Sequence, residues 1–230
     1  MKLVSRLTFV FAFGFAAAAW GQQSAPPAQK AVDSGPTLAA TMQFIQEKLS
    51  EQGKVGWAET YSNQPDVTRR RFTQLTDVMA DPGACTLYTT ETSETFVDLP
   101  KGSTFKSNGK PVNADDLHTQ IVETDTISFK QVEKVTVEFM VNRALGVPAH
   151  PEISARLTPP VFYVKLWASD DVFAIHASTT TGRQAPVEKD VTSKIMGYYY
   201  RDQETANKVA KAMTHAMELC GGGVTKKELF

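Results

Sequence analysis

Leu38, Met42, Ile45 and Leu49 recur at steps of four, three and four, which places them on one apolar face of a helix. Thr37 stands where an N-cap belongs and Gly53 where a helix stops, so the spacing predicts a helix from Leu38 to Glu51. From Lys54 onward the helical period gives way to short β-rich runs broken by turn residues. Strands are predicted at Val55 to Tyr61, Thr68 to Val78, Ala84 to Glu91, Thr126 to Phe129, Val135 to Val141, Val161 to Ser169, Val172 to Ser178 and Lys194 to Tyr200. The clearest is KVTVEFMVN, where Val135, Val137, Phe139 and Val141 alternate with Thr136, Glu138 and Met140, the pattern of a sheet buried on one face. Asp170-Asp171 separates two β-rich runs and reads as a hairpin turn, and Asn108-Gly109 suits a type I′ turn. A second helical period closes the chain: Ala206, Val209, Ala210, Met213, Met217 and Cys220 share one face. Asp202 is its N-cap, Glu204 and Lys208 form an i,i+4 pair, and Gly221 to Gly223 end it.

Strands bracketed by two amphipathic helices, without helix–strand alternation between them, exclude a parallel α/β fold. The fold class expected is α+β: a curled antiparallel β-sheet or small barrel with an N-terminal helix and a C-terminal capping helix. A pleckstrin-homology-like barrel, whose final helix plugs an open end, is one form of it; a helix-backed β-sandwich is another. Neither implies a function.

Met1 to Gly21 changes the meaning of the chain's length. Lys2 and Arg6 precede the apolar run Leu7 to Ala19, which is short for a bilayer span, and Ala19-Trp20-Gly21 offers a small-x-small cleavage site. This reads as a signal peptide, with an uncleaved anchor as the rival, and the product is expected to be exported, periplasmic or extracellular. Residues 22–36, rich in Pro, Ala, Gln and Ser, read as a flexible linker, 37–223 as a single domain and 224–230 as a tail. The 230 residues carry 24 Lys and Arg against 25 Asp and Glu, a balance that argues against a dedicated nucleic-acid binder, and 42% are hydrophobic, enough for a packed core. No later segment approaches membrane-spanning length. In an oxidising compartment Cys85 and Cys220, the only two cysteines, are expected to form one disulfide closing a very long loop, two buried thiols being the alternative.

The segments TLAATMQFIQEKL, ADPGAC and ANKVAKAMTHAMELCGGG resemble those of a family of uncharacterised exported bacterial proteins. The resemblance covers the two ends of the domain better than its middle. It implies export, a Cys85 to Cys220 pairing and a C-terminal helix ending in ELCGGG, and it carries no activity.

Reactive motifs are hard to find. His118, His150, His176 and His215 lie far apart with no metal-ligand spacing, so no metal is called for. His215 is expected to be exposed, and His176 to pack or bond locally. There is no Gly-x-Ser-x-Gly elbow, and the serines and threonines from Ser178 to Thr181 read as turn chemistry. Gly221 to Val224 follows a helix instead of opening one, so no phosphate-binding loop and no cofactor is implied. Asp115-Asp116 and Asp170-Asp171 are acidic pairs in loops. Arg69, Arg70 and Arg71 are a weak anion-binding candidate, split because a strand sends Arg70 to the opposite face. Tyr198, Tyr199 and Tyr200 are interface candidates of which alternation buries at least one. Phe230 ends the chain as in outer-membrane barrels, but Glu228 and Lys226 break the lipid-facing alternation.

With no reactive constellation in view, the leading expectation is an exported, non-enzymatic interaction or ligand-binding domain. Its partner would be a protein or an anionic ligand of the cell envelope. The alternatives are an exported hydrolase or transferase whose site forms where His118, His150 and His176 converge with acidic partners, and an oligomeric envelope structural protein.

Overall fold

A computed structural model describes residues 35–100, 105–107, 110–144 and 154–223. His150 and Phe230, the turn residues Asn108 and Gly109, and the segments read as signal peptide and tail lie outside the described residues. The elements are α1 (Leu38–Ser50), β1 (Val55–Tyr61), β2 (Gln64–Asp81), β3 (Thr86–Asp98), β4 (Phe105–Ser107), β5 (Lys110–Val112), β6 (Thr119–Ser128), β7 (Lys134–Ala144), β8 (Ser154–Trp167), β9 (Phe173–Thr181), β10 (Val187–Ser193), β11 (Ile195–Tyr200) and α2 (Gln203–Leu219). Both helices start where their caps predict. Thr37 Oγ1 accepts from the Ala40 N–H at 3.3 Å, and Asp202 Oδ1 accepts from the Thr205 N–H at 2.7 Å. After α2 the chain turns at Gly221 (φ +78°), the left-handed conformation that spares a Cβ clash. Gly222 then passes so close to the Phe129 carbonyl that a Cβ would stand 2.3 Å from its oxygen.

The main sheet is antiparallel throughout and runs β10-β9-β6-β3-β2-β1-β8-β11, with β7 also paired to β8; β4 and β5 form a separate two-stranded ladder. This corrects the expectation of a curled sheet or small barrel, pleckstrin-homology-like or otherwise. The order is open, and no ladder among the described residues joins its two ends. Closure would need β10 to pair with β11 or β7, but among the described residues β10 pairs with β9, and β11 and β7 both pair with β8, which holds three strands. Ala155 to Thr158 pair with β1, Phe162 to Trp167 pair with β11, and β7 runs along the other edge. The helix α2 plugs no open end; it packs on β7, β8, β11 and α1, while α1 also packs on β2. The hairpin expected at Asp170-Asp171 is likewise absent. Those residues carry the chain from β8 to β9, and β9 pairs with β6 and β10.

The core lies between this sheet and the helices. Met42, Ile45 and Leu49 from α1 meet Val209, Met213 and Ala216 from α2, Leu87, Ile127, Leu166 and Phe173 from the sheet, and Phe129 from the turn after β6, all fully buried. Burying each large apolar side chain here contributes roughly 1.5–3 kcal/mol. Cys85 and Cys220, 135 positions apart in the sequence, form the disulfide, joining the C-terminal end of α2 to the turn before β3. No helix among the described residues is long and apolar enough to cross a membrane.

Candidate functional site

The face of the sheet that carries Leu75, Leu87, Ile127 and Phe173 into the core continues along the same strands with a different chemistry. Side chains two residues apart share a face, so Thr89, Glu91, Ser93 and Thr95 on β3 follow Leu87, and Asp125, Glu123 and Ile121 on β6 precede Ile127. Thr73 and Arg71 on β2 and Ile175 on β9 extend the row. The register aligns them: Leu87 faces Ile127, Thr89 faces Asp125, Glu91 faces Glu123 and Ser93 faces Ile121. On the far side of Glu91 is Leu75, and on the far side of Asp125 is Ile175. Two carboxylates directly opposite across a ladder repel, which makes the Glu91–Glu123 pair costly to the fold.

The polar positions of this row other than Thr89, together with Ile121 and Ile175, line a cavity of about 250 Å³ that Trp57, Tyr163, Gly197 and Tyr199 complete. Alternation along β11 divides its tyrosines. Tyr198 and Tyr200 are buried in the core beside the helices, and Tyr199 turns to the cavity with Gly197. Gly197 matters because Tyr163 lies where its side chain would be, with the ring's Cζ 2.8 Å from an ideal Cβ position. Tyr199 lies between Trp57 and Tyr163, with ring centroids 4.7 Å from each. Its backbone carbonyl accepts from Gln52 Nε2, which ties the aromatic wall to the end of α1.

The carboxylates have few partners. Glu91 accepts from the Ser93 hydroxyl at 2.9 Å, and Asp125 Oδ2 stands 3.4 Å from the Thr89 hydroxyl, whose oxygen is 3.2 Å from that of Tyr198. Asp125 is 6% exposed, yet its Oδ1 has no hydrogen-bond partner among the described residues. Burial pushes Glu91 up to about 7 against the hydrogen bond from Ser93, and the charges of Glu123 and Asp125 add to the rise. Burial and the Glu123 charge push Asp125 up to about 7, and burial raises Glu123. Burial also raises the Tyr163 and Tyr199 hydroxyls, so both stay protonated at neutral pH.

The one cation lining the cavity is committed elsewhere. Arg71 Nε donates to Glu59 at 2.9 Å. Glu59, fully buried, also accepts from Trp57 Nε1 at 3.0 Å and Tyr61 Oη at 2.8 Å, and Arg143 stands 3.3 Å away. This network anchors Trp57 and holds the Arg71 guanidinium back from the carboxylates of β3 and β6.

The residues singled out in the sequence fall around this site and outside it. Arg70 points to the opposite face from Arg69 and Arg71 and makes a bidentate pair with Asp98 at 2.7 and 2.9 Å; Arg69 lies over the Tyr61 ring. His118 stacks on Phe96, and His176, exposed on β9, sits 2.7 Å from Asp190 and 3.3 Å from Glu188. Six residues separate His176 from the register position of His118, roughly 20 Å of strand, so these two histidines do not converge. His215 is half-buried, with Nε2 2.9 Å from the Pro36 carbonyl oxygen. No group of three His, Cys, Asp or Glu among the described residues is placed to hold a metal ion. Glu91, Glu123 and Asp125 were not singled out; their signal is an inward parity that turns from apolar to acidic between Ile127 and Ile121. Comparison with known proteins finds no matching family model, no matching curated protein and no matching solved structure.

Proposed function

We propose that this is an exported, non-enzymatic ligand-binding domain, and that the cavity between β3, β6, β8 and β11 is its binding site. The observation that carries the reading is Asp125, a buried carboxylate with an unsatisfied oxygen on the wall of a cavity. Such a group costs a fold about 1–3 kcal/mol or more, and a ligand that donates a hydrogen bond removes the cost. Export is supported by the sequence of Met1 to Gly21 and by the Cys85–Cys220 disulfide, a bond that persists in oxidising compartments. The hydrolase or transferase reading has one observation in its favour: Glu91 and Glu123 face one another, and a carboxyl near pH 7 beside a second one is an acid–base pair.

Ser93 lies on the cavity wall, and Ser93→Trp fills the space. Thermal melts of the disulfide-bonded protein against small cationic, anionic and neutral compounds test the site. At least one class is expected to raise the melting temperature of the parent protein by several degrees, through mass action on the folded state, and to leave Ser93→Trp unmoved. A shift that persists in Ser93→Trp, or no shift from any class, contradicts the reading.

A further inference from the structure

The charge pattern of the cavity narrows the class of ligand, on the reading that the cavity is a binding site. We infer that the ligand is a small organic ammonium ion, its charge held by Asp125, Glu123 and Glu91 and its carbon skeleton by the rings of Trp57, Tyr199 and Tyr163.

Sign is the first argument. The three carboxylates lie on two adjacent strands and form no salt bridge with a described residue, and Arg71 is turned to Glu59. Glu94, the next acidic residue of β3 and also at the cavity wall, lies on the other parity and is paired with Lys54 at 2.5 Å. The cavity is therefore an electronegative hollow whose carboxylates have no salt-bridge partner among the described residues, Arg71 being paired with Glu59. An anionic ligand meets repulsion here, and a neutral one leaves the charges uncompensated.

The second argument is the wall opposite the carboxylates. Trp57, Tyr199 and Tyr163 form a continuous run of rings in tilted contact. Aromatic faces attract cations, most strongly where both are withdrawn from water, and aromatic faces set beside carboxylates are the chemistry that recognises ammonium groups. A hard metal ion has a different requirement, six or more oxygens at close and even distances, and here one side of the hollow is aromatic.

Size is the third. At roughly 30 Å³ per water-sized unit, 250 Å³ holds about eight such units, room for a small amine.

Proton linkage follows from the same geometry. The ionisable groups facing the carboxylates are Arg71 from β2, Tyr163 from β8 with Glu138 of β7 beyond it, and Tyr198 and Tyr199 from β11; β9 presents Ile175. Of these, Arg71 and the tyrosines hold their protons through neutral pH, so Glu91, Glu123 and Asp125 are the groups that change charge. Glu91 and Asp125 bind protons near pH 7, burial raises Glu123 in the same direction, and an entering cation displaces the protons they hold. Affinity should rise as pH rises through 7, while an alkyl amine keeps its own charge over that range.

Isothermal titration of the disulfide-bonded protein with n-butylamine and tetramethylammonium decides the matter, with butyrate, butanol and calcium chloride as the other arms. The expected result is saturable binding of at least one of the two ammonium probes at pH 8, about tenfold weaker at pH 6. Protons are released, read from the dependence of the heat on buffer ionisation, and affinity falls at least tenfold in Asp125→Asn while the variant still melts cooperatively. Tighter binding of butyrate or butanol, lost in Ser93→Trp, overturns the ammonium assignment and leaves the binding site standing. Binding of calcium alone overturns it in favour of a metal ion. Absence of binding in every arm overturns both the assignment and the site.

Discussion

A double variant with Cys85→Ser and Cys220→Ser is expected to melt roughly 10 °C below the parent protein. The bond closes a chain loop of 135 residues, and for a loop of that length the entropy removed from the unfolded chain sets a ceiling of about 5 kcal/mol; losses of ~2–5 kcal/mol are typical. In a domain of this size each kcal/mol moves the midpoint by about 2–4 °C. Location sharpens the expectation. Cys85 sits in the left-handed region at φ +60° in a turn held by the Ala84 N–H on Asp81 Oδ1, and its carbonyl accepts from the Phe129 N–H at 2.9 Å. A non-glycine residue there costs about 1–2 kcal/mol, and the cost stays when the bridge is removed. Cys220 caps α2 beside Gly222 and Gly223, whose N–H groups donate to Met217 and Val132. Without the bridge the last turn of α2 is therefore expected to exchange its amide hydrogens faster than the rest of the helix. A urea midpoint unchanged by the double substitution would show that α2 docks through its apolar face alone.

Replacing Glu59 with alanine is the second large effect, expected to cost about 3–5 kcal/mol by urea denaturation at pH 7. Removing one member of a buried ion pair leaves the others desolvated and unpaired, here the guanidinium of Arg71, the Trp57 N–H and the Tyr61 hydroxyl, with Arg143 beside them. Glu59→Gln keeps an acceptor for Trp57 and costs less. Acid distinguishes the charge from the shape. Burial works to raise the Glu59 carboxyl, but the Trp57 and Tyr61 hydrogen bonds and the charges of Arg71 and Arg143 outweigh it and hold the group below the usual carboxylate range. A depressed carboxylate stabilises the fold above its unfolded-state pKa and loses that contribution as pH falls through the folded one. The stability curves of the parent and Glu59→Gln should therefore converge on acidification below about pH 4. Freed from Glu59, Arg71 can turn to the cavity carboxylates, so ammonium binding should weaken in both variants.

Much of the framework is legible in the sequence because it follows from packing. The stripes Leu38 to Leu49 and Ala206 to Met217 mark both helices, Thr37 and Asp202 mark their starts, and β1 has the ends its pattern predicts. Two cysteines in a chain whose sequence reads as exported point to the disulfide that the fold makes. Strands with uneven chemistry are read short. The reading of β3 stops at Glu91 and that of β6 begins at Thr126, although both strands continue for seven residues beyond. The missing halves are those whose inward positions are Ser93 and Thr95 on β3, just past Glu91, and Ile121, Glu123 and Asp125 on β6. A two-residue period of apolar residues finds strands that bury a core, and here the same face turns from core to cavity. Outer strand β10 is missed for a related reason: VEKDVTS has no apolar face, and its pairing with β9 is carried by the backbone. Where sequence pattern and sheet disagree along β3 and β6, the disagreement marks the site, because function keeps polar residues where packing would choose apolar ones.

The other boundary of the sequence reading is topological. Asp170-Asp171 has the composition of a hairpin turn, yet β8 cannot take β9 as a neighbour when β1, β11 and β7 already occupy its edges. Side chains alone do not show that competition for backbone hydrogen bonds.

The central claim is that Asp125 and its neighbours are held for binding at the expense of the fold, and stability against pH tests it most directly. Asp125 titrates near 7 in the folded protein, well above its unfolded value of about 3.9. A raised carboxyl gives its full contribution below the unfolded pKa, and that contribution is lost as pH rises through the folded one. Urea midpoints of the parent and Asp125→Asn, compared from pH 4 to pH 8 without ligand, should separate steadily up to pH 7 and then run parallel, the variant being more stable by about 2 kcal/mol or more at pH 8. An Asp125→Asn protein less stable than the parent across that range would mean that Asp125 serves the fold, and would contradict the account.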